Sequence, residues 1–156
     1  MIEIRAANDA DKSGIWKIIQ AVIATGDTYV FLPETPEDEM ITYWFSPDKH
    51  VYVAEHGGNI VGTFWLKANQ PGLGSHICNA AYMVAPDAAG KGIGRKMAEY
   101  SLEAARGLGF TAMQFNFVVA SNAVAVKLWL RHGFQIVGGW IEIEDAKIRE
   151  IQMRNP

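Results

Sequence analysis

The chain predicts an α/β fold (α+β where mixed sheets are classed apart), read as one domain over residues 1–156 with about seven strands and about four helices. Three observations carry this. The hydrophobic period switches repeatedly between two and 3.6, as it does where strands alternate with helices. Glycine, proline and asparagine fall at the switches. The 156 residues, 49% hydrophobic and 20% charged, are enough for one well-buried core and too few for two ordinary domains. No internal repeat, linker or low-complexity segment interrupts the pattern.

Ile2 and Ile4 alternate with Glu3 and Arg5 as a first strand. Asn8 or Asp9 can cap a helix in which Ile15, Ile18, Ile19, Val22 and Ile23 share one face, and Gly26 ends it. In "TPEDEM", Thr35 stands as N-cap and Pro36 at the first helical position. The acidic residues behind them suit the helix dipole, and the helix should run to about Phe45. "VYVAE", the turn "HGGN" and "IVGTFWL" read as a β-hairpin. After the loop "NQPGLGS", the run "HICNAAYMV" makes a third long strand. Beyond a glycine-rich turn, Ile93, Met97, Ser101, Ala104 and Leu108 trace one helical face, which "GLG" stops. "AMQFNFVV" is a strand, and "SNAVAVKLWLRHG" a capped helix closed by Gly133. "FQIVGGWIEI" and "IREIQM" are the last two strands.

Composition excludes several classes. A formal net charge of −3 gives no basic surplus for nucleic acid. Cys78 is the only cysteine, so there is no internal disulfide framework, and no apolar run approaches the roughly 20 residues of a membrane span. The N-terminus lacks a basic segment followed by an apolar one. A cytoplasmic protein without membrane or nucleic-acid partners is expected.

The chemistry concentrates in "VAPDAAGKGIGRKMAEY", where Gly90, Gly92 and Gly94 alternate directly before Arg95 and Lys96. A strand, a glycine-rich turn and a helix N-terminus bring several backbone N–H groups to one point, where the dipole is positive and no side chain blocks an anion. That geometry favours phosphate, and the basic residues add charge-assisted hydrogen bonds. A purely structural turn would use the same glycines. The nucleotide P-loop and the dinucleotide fingerprint are excluded by spacing.

"VAPDAAGKGIGRKM" and, further on, "NFVVASNAVAVKLWLRHGFQIVG" resemble the two signature segments of the GNAT superfamily of N-acetyltransferases, and the resemblance covers nearly the whole chain. It implies a mixed, mostly antiparallel sheet of seven strands with about four helices on both faces. It also implies acetyl-CoA as acetyl donor, no metal, and a homodimer as a candidate assembly. In that family the turn binds the pyrophosphate of acetyl-CoA through backbone amides, which maps to Gly90, Lys91, Gly92, Ile93, Gly94 and Arg95. The preceding strand splays from its neighbour and the pantetheine lies in the gap, which maps to Tyr82, Met83 and Val84. Amides near Met83 and Val84 would hold the oxyanion. The family's usual Arg or Gln at the start of the turn is Ala89 here.

Within the superfamily, "TYWF", "VGTFWLKANQPGLGSHICNAAYMV" and "FNFVVASNAVAVKLWLRHGFQIVG" are similar to the branch of fungal L-azetidine-2-carboxylate N-acetyltransferases and their bacterial relatives, which act on proline analogues. The resemblance implies that Asn79 and Asn116 hold a substrate carboxylate and that Asn122 belongs to the catalytic and cofactor-binding centre. Amides among apolar residues on splaying strands need partners, and an anion would satisfy both N–H groups. Without the resemblance, Asn116 reads as a bulge residue and Asn122 as a helix cap. Many relatives place a Tyr acid at the position of Trp129, and some a Glu base at that of Phe117, so the usual proton-transfer residues are missing. A thiol leaving group with a pKa of about 8.5 tolerates that loss. His76 stays outside the catalytic set, and Cys78 reads as a buried small hydrophobe. Trp44, Trp65 and Trp129 read as core or pocket wall, with Tyr29 and Tyr43 as candidate substrate-side contacts. Two other functions fit the same residues: acetylation of primary amino acids or protein N-termini, and acyl-CoA sensing without turnover.

Overall fold

The computed structural model describes residues 1–27, 29–139 and 150–155. Its strands are β1 (Ile2–Ala6), β2 (His50–His56), β3 (Asn59–Ala68), β4 (Ile77–Val84), β5 (Ala112–Val119), β6 (Gln135–Gly139) and β7 (Glu150–Asn155). Its helices are α1 (Lys12–Ile23), α2 (Glu37–Trp44), α3 (Ile93–Gly107) and α4 (Ala123–Arg131). The strands form one sheet in the order β1-β2-β3-β4-β5-β7-β6. Every neighbouring pair is antiparallel except β4 and β5, so the sheet is mixed and mostly antiparallel, as expected. The two long C-terminal strands are described only in part, because residues 140–149 of that expectation lie outside the described residues.

Both faces of the sheet are covered, because β3 is apolar on both sides. Phe64 and Leu66 pack on the α3 and α4 side, and Trp65 on the α1 and α2 side. Alternation of side chains along a strand puts consecutive residues into opposite cores. The buried Thr63 hydroxyl is satisfied: the Trp44 indole N–H donates to Thr63 Oγ1 at 3.1 Å, and that hydroxyl donates to the Tyr52 carbonyl at 2.9 Å, whereas the buried Trp65 indole N–H has no acceptor among the described residues. Among the described residues no helix is long and apolar enough to cross a membrane.

Two helix starts differ from the reading of the sequence. Pro36, not Thr35, is the N-cap of α2, and the Thr35 hydroxyl donates instead to the Leu32 carbonyl at 2.7 Å. Asn8 does cap, but it caps a 3₁₀ turn, Asp9–Asp11, that precedes α1. The buried stripe of α3 ends at Ala105, while Leu108 is exposed at the C-cap.

The placement of α3 depends on one missing side chain. A Cβ on Gly62 of β3 would lie 2.8 Å from Met97 Sδ and 3.2 Å from Ile93 Cγ2. The first and second turns of α3 therefore rest directly on the β3 backbone, which fixes the helix N-terminus beside the end of β4. Gly62→Val should lower stability by about 1–3 kcal/mol through overpacking, read as a fall in the urea midpoint at unchanged slope. An unchanged midpoint would show that Met97 swings aside freely.

Candidate active site

The site begins where β4 and β5 part. Their parallel ladder has two rows, Ile77 with Ala112 and Cys78 with Met113, and β4 runs on from Asn79 to Val84 with its β5-facing edge unpaired. The register decides which groups look into the split. Asn69 N–H donates to the Ile77 carbonyl and Ala85 N–H to the Val61 carbonyl, so the odd-numbered residues of β4 bond to β3. The even-numbered ones, Ala80, Tyr82 and Val84, turn their N–H and C=O groups toward β5.

Each of these groups has a different fate. The Ala80 N–H donates to Asn79 Oδ1 at 2.8 Å. The backbone N–H and C=O of Tyr82 are bridged by the hydroxyl of Tyr29, which donates to the Tyr82 carbonyl at 2.7 Å and accepts from the Tyr82 N–H at 3.1 Å. The Val84 N–H meets no acceptor among the described residues. The expectation that Met83 also offers its amide is corrected: that amide faces Thr63 across the ladder, and its side chain is fully buried under α1 and α2.

On the α3 and α4 face a row of aromatic rings crosses the split. Tyr52, Phe64 and Tyr82 stack on neighbouring strands with centroids 4.9 and 5.4 Å apart. The Trp129 indole then stands between Tyr82 and Phe115, at 4.8 and 4.5 Å. Trp129 is a wedge where the neighbouring strand has left. The Tyr82 hydroxyl shares a hydrogen bond with Ser101 Oγ at 2.8 Å. Burial raises the phenols of both Tyr29 and Tyr82, and it pushes the Cys78 thiol up to about 12. All three stay protonated at neutral pH.

On the other face stands Asn79, and Asn116 follows Phe115 where β5 leaves the regular alternation. Met113 and Phe115 of β5 point into the same core as Cys78 and Ala80 of β4, and Val118 returns to it. A bulge between Phe115 and Val118 re-aims this part of β5 and leaves Phe117 exposed. Asn79 Oδ1 is taken by Ala80, so its NH₂ points away, and the Asn116 amide has no partner among the described residues. Lys67 lies directly across the ladder from Asn79 and pairs with Asp48 at 3.2 Å. Beside it, the Lys49 ammonium sits 3.2 Å from the Tyr43 ring centroid and 4.8 Å from that of Trp65. Burial and the nearby Lys67 bring Lys49 down to about 8.

Past β4, the chain turns through Gly90 and Gly92, both at φ +77°, and Gly92 is the N-cap of α3. No N–H from Gly90 to Arg95 has an acceptor among the described residues; Lys96 N–H is the first to bond, to the Gly92 carbonyl. The first turn of α3 holds no acidic residue, although helix N-termini favour them. The basic side chains turn elsewhere: Lys91 Nζ donates to the Asp87 carbonyl at 3.0 Å, and Arg95 Nε to Glu99 at 2.8 Å. What the turn presents is therefore backbone. Asn122 lies apart from it as the N-cap of α4, with Oδ1 accepting from the Ala125 N–H at 3.2 Å. His76 is exposed and bonds the Leu73 carbonyl.

A strand that leaves its neighbour, followed by a nest of open amides at a helix N-terminus, matches a known family. The model of the acetyltransferase (GNAT) family fits residues 19–134. The chain belongs to that family. A GCN5-related N-acetyltransferase from Kribbella flavida has the same fold at a TM-score of 0.92, with 32% identity over 99% of this chain and 97% of that one. The N-acetyltransferase aca1 of Schizosaccharomyces pombe is 38% identical over 60% of this chain and 44% of its own length. A mycothiol acetyltransferase of Streptomyces bingchenggensis is 39% identical over 63% of this chain and 30% of its own. The chain thus spans less than half the length of these two curated relatives.

The turn's role can be tested directly. At Gly92 a Cβ would meet open space, not protein, so the damage of Gly92→Val lies in the positive φ and in the approach of an anion. CoA binding should weaken about ten- to a hundredfold by calorimetry, while Lys91→Ala, whose side chain folds back on Asp87, should change it less than about threefold.

Proposed function

We propose that the protein transfers the acetyl group of acetyl-CoA to the amine of a small acceptor, with residues 1–156 acting as one acetyltransferase domain. The observation that carries this reading is the run of unpartnered N–H groups from Gly90 to Arg95, continuous with the open edge of β4. The turn would take the pyrophosphate, and the split would take the pantetheine arm, an amide-bearing chain suited to an unpaired strand edge. The Val84 N–H, which faces the split beside the turn and carries no other bond, is then the first donor the arm meets, and the thioester lies further along the edge, toward Tyr82. Catalysis rests on holding the amine against the thioester. No carboxylate or imidazole among the described residues stands on the open edge of β4 to act as base.

The acceptor we favour carries a carboxylate next to its amine, as a proline-type amino acid does. Asn79 on β4 and Asn116 on β5 stand on the two strands that flank the split, with amide N–H groups to spare. Neutral donors suit an anion that must lose water, where Asp would repel it. Asn79→Ala and Asn116→Ala should each lower kcat/KM for azetidine-2-carboxylate by roughly ten- to a hundredfold, mostly through KM. Equal turnover of the same ring without its carboxylate, or no effect of either substitution, would remove this acceptor class.

The pH profile gives an independent check. Activity should rise as the acceptor amine loses its proton and should not fall again below about pH 10, because burial keeps Tyr29, Tyr82 and Cys78 protonated throughout. The rising limb should move with the pKa of the amine; a limb fixed near 8 for every amine would point to Lys49 instead. Phe117 and Trp129, at the positions where relatives carry acid–base residues, favour one other reading, a CoA-binding domain without turnover. Absence of CoA release across an amine panel, with CoA still bound, would establish it.

A further inference from the structure

The Tyr29 hydroxyl is placed where a neighbouring strand would be. It comes from the connection between α1 and α2, yet both its hydrogen bonds go to the backbone of one residue of β4, at 2.7 Å to the Tyr82 carbonyl and 3.1 Å from the Tyr82 N–H. That residue lies midway along the unpaired edge, between Ala80, whose N–H is capped by Asn79, and Val84, whose N–H is open. A donor and an acceptor exposed together on a strand edge are what an inserted amide chain bonds to. One phenolic oxygen supplies both functions because a hydroxyl donates and accepts at once. The ring is anchored on the far side of the sheet, packed against the α1 and α2 core beside Phe31. Phe31 touches Tyr43 edge-on at 4.9 Å, and Tyr43 meets Trp65 at 6.5 Å.

We propose that the Tyr29 hydroxyl and the pantetheine arm of the co-substrate are alternative partners of the Tyr82 backbone N–H and C=O. The inference rests on the acetyl-CoA reading above and adds to it an order of events. The arm takes over the Tyr82 N–H and C=O, Tyr29 withdraws, and the segment from Tyr29 to Leu32 is freed to receive the acceptor. Co-substrate binding precedes acceptor binding. No proton is transferred in the exchange, since the phenol stays neutral and only hydrogen bonds are traded.

Tyr29→Phe keeps the ring and removes the competitor, so CoA should bind about three- to tenfold more tightly to the variant by calorimetry. ADP, which carries the pyrophosphate and no arm, should bind both proteins equally. Unchanged or weaker CoA binding in the variant, with ADP unaffected, would overturn the exchange and leave the acetyl-CoA reading standing. Failure of the wild type to bind CoA at all would overturn both. A second measurement needs no variant: chymotrypsin should cut the wild-type protein after Tyr29, Phe31 or Leu32 faster when CoA is present and at the unliganded rate with ADP. Equal cleavage with and without CoA would sink the proposal even if Tyr29→Phe did not fold.

Discussion

A parallel ladder that stops after two rows is the constraint on which the rest of this structure depends. Beyond Cys78 and Met113, β4 carries backbone donors and acceptors with no strand to receive them, a state that costs free energy unless other groups step in. The chain answers differently in each layer. Above the sheet, the Trp129 ring packs on both Tyr82 and Phe115, whose own rings meet edge-on at 6.0 Å. Within the sheet, Asn79 takes the Ala80 N–H, and Tyr29 takes the N–H and C=O of Tyr82. Only the last residue, Val84, keeps an N–H without acceptor among the described residues, and that residue leads to the turn.

The turn continues the same polar deficit into three dimensions. A helix N-terminus always leaves donors without intrahelical partners, and side-chain caps or acidic residues usually meet them. At α3 neither is present: the N-cap is Gly92 and the first turn is free of acids. The positive φ of Gly90 and Gly92 orients the preceding amides the same way, and the rest of α3 is held in place by its contact with Gly62. The unmet donors are thus carried by a rigid frame, which is what anion recognition by backbone requires. The charge of Arg95 and Lys91, prominent in the sequence, is spent on Glu99 and Asp87.

Much of this was legible in the sequence, and the exceptions share a cause. Strands, helices and the glycine turn follow from periodicity and from residues with special backbone preferences, which are local properties. The start of α2 was off by one residue because proline and threonine both suit a helix start and only tertiary context chose between them. Met83 and Val84 could not be told apart, because which amide faces the split depends on pairing parity with β3. Tyr29 was noticed only as a candidate contact: its bond to Tyr82 spans 53 residues, and the connection that carries it has no hydrophobic period to read. Asn122 followed its local signal and caps a helix. Lys67 drew no notice because a lysine in an alternating strand reads as a solvated face, and only register sets it against Asn79.

The wedge also explains why the usual acid is missing. A phenol at position 129 would need a clear path to the leaving sulfur, but this position lies among Tyr82, Phe115 and Phe134 and is 5% exposed. A ring that keeps two strands apart must be large and apolar on both faces, and an indole meets that demand better than a smaller phenol. Spacing and proton delivery compete for one side chain, and here spacing prevails. The bulge after Phe115 has a parallel effect, because it leaves position 117 exposed to solvent. Under the proposed acetyl transfer, the acceptor must arrive with its proton already lost, and the thiolate must leave without an acid beside it. The first condition selects amines whose neutral form is populated at working pH; the second is met by the low pKa of a thiol. Under that proposal the protein would contribute geometry: backbone donors along the open edge of β4, a pyrophosphate anchor at the turn, and a pair of amides to hold the acceptor's carboxylate.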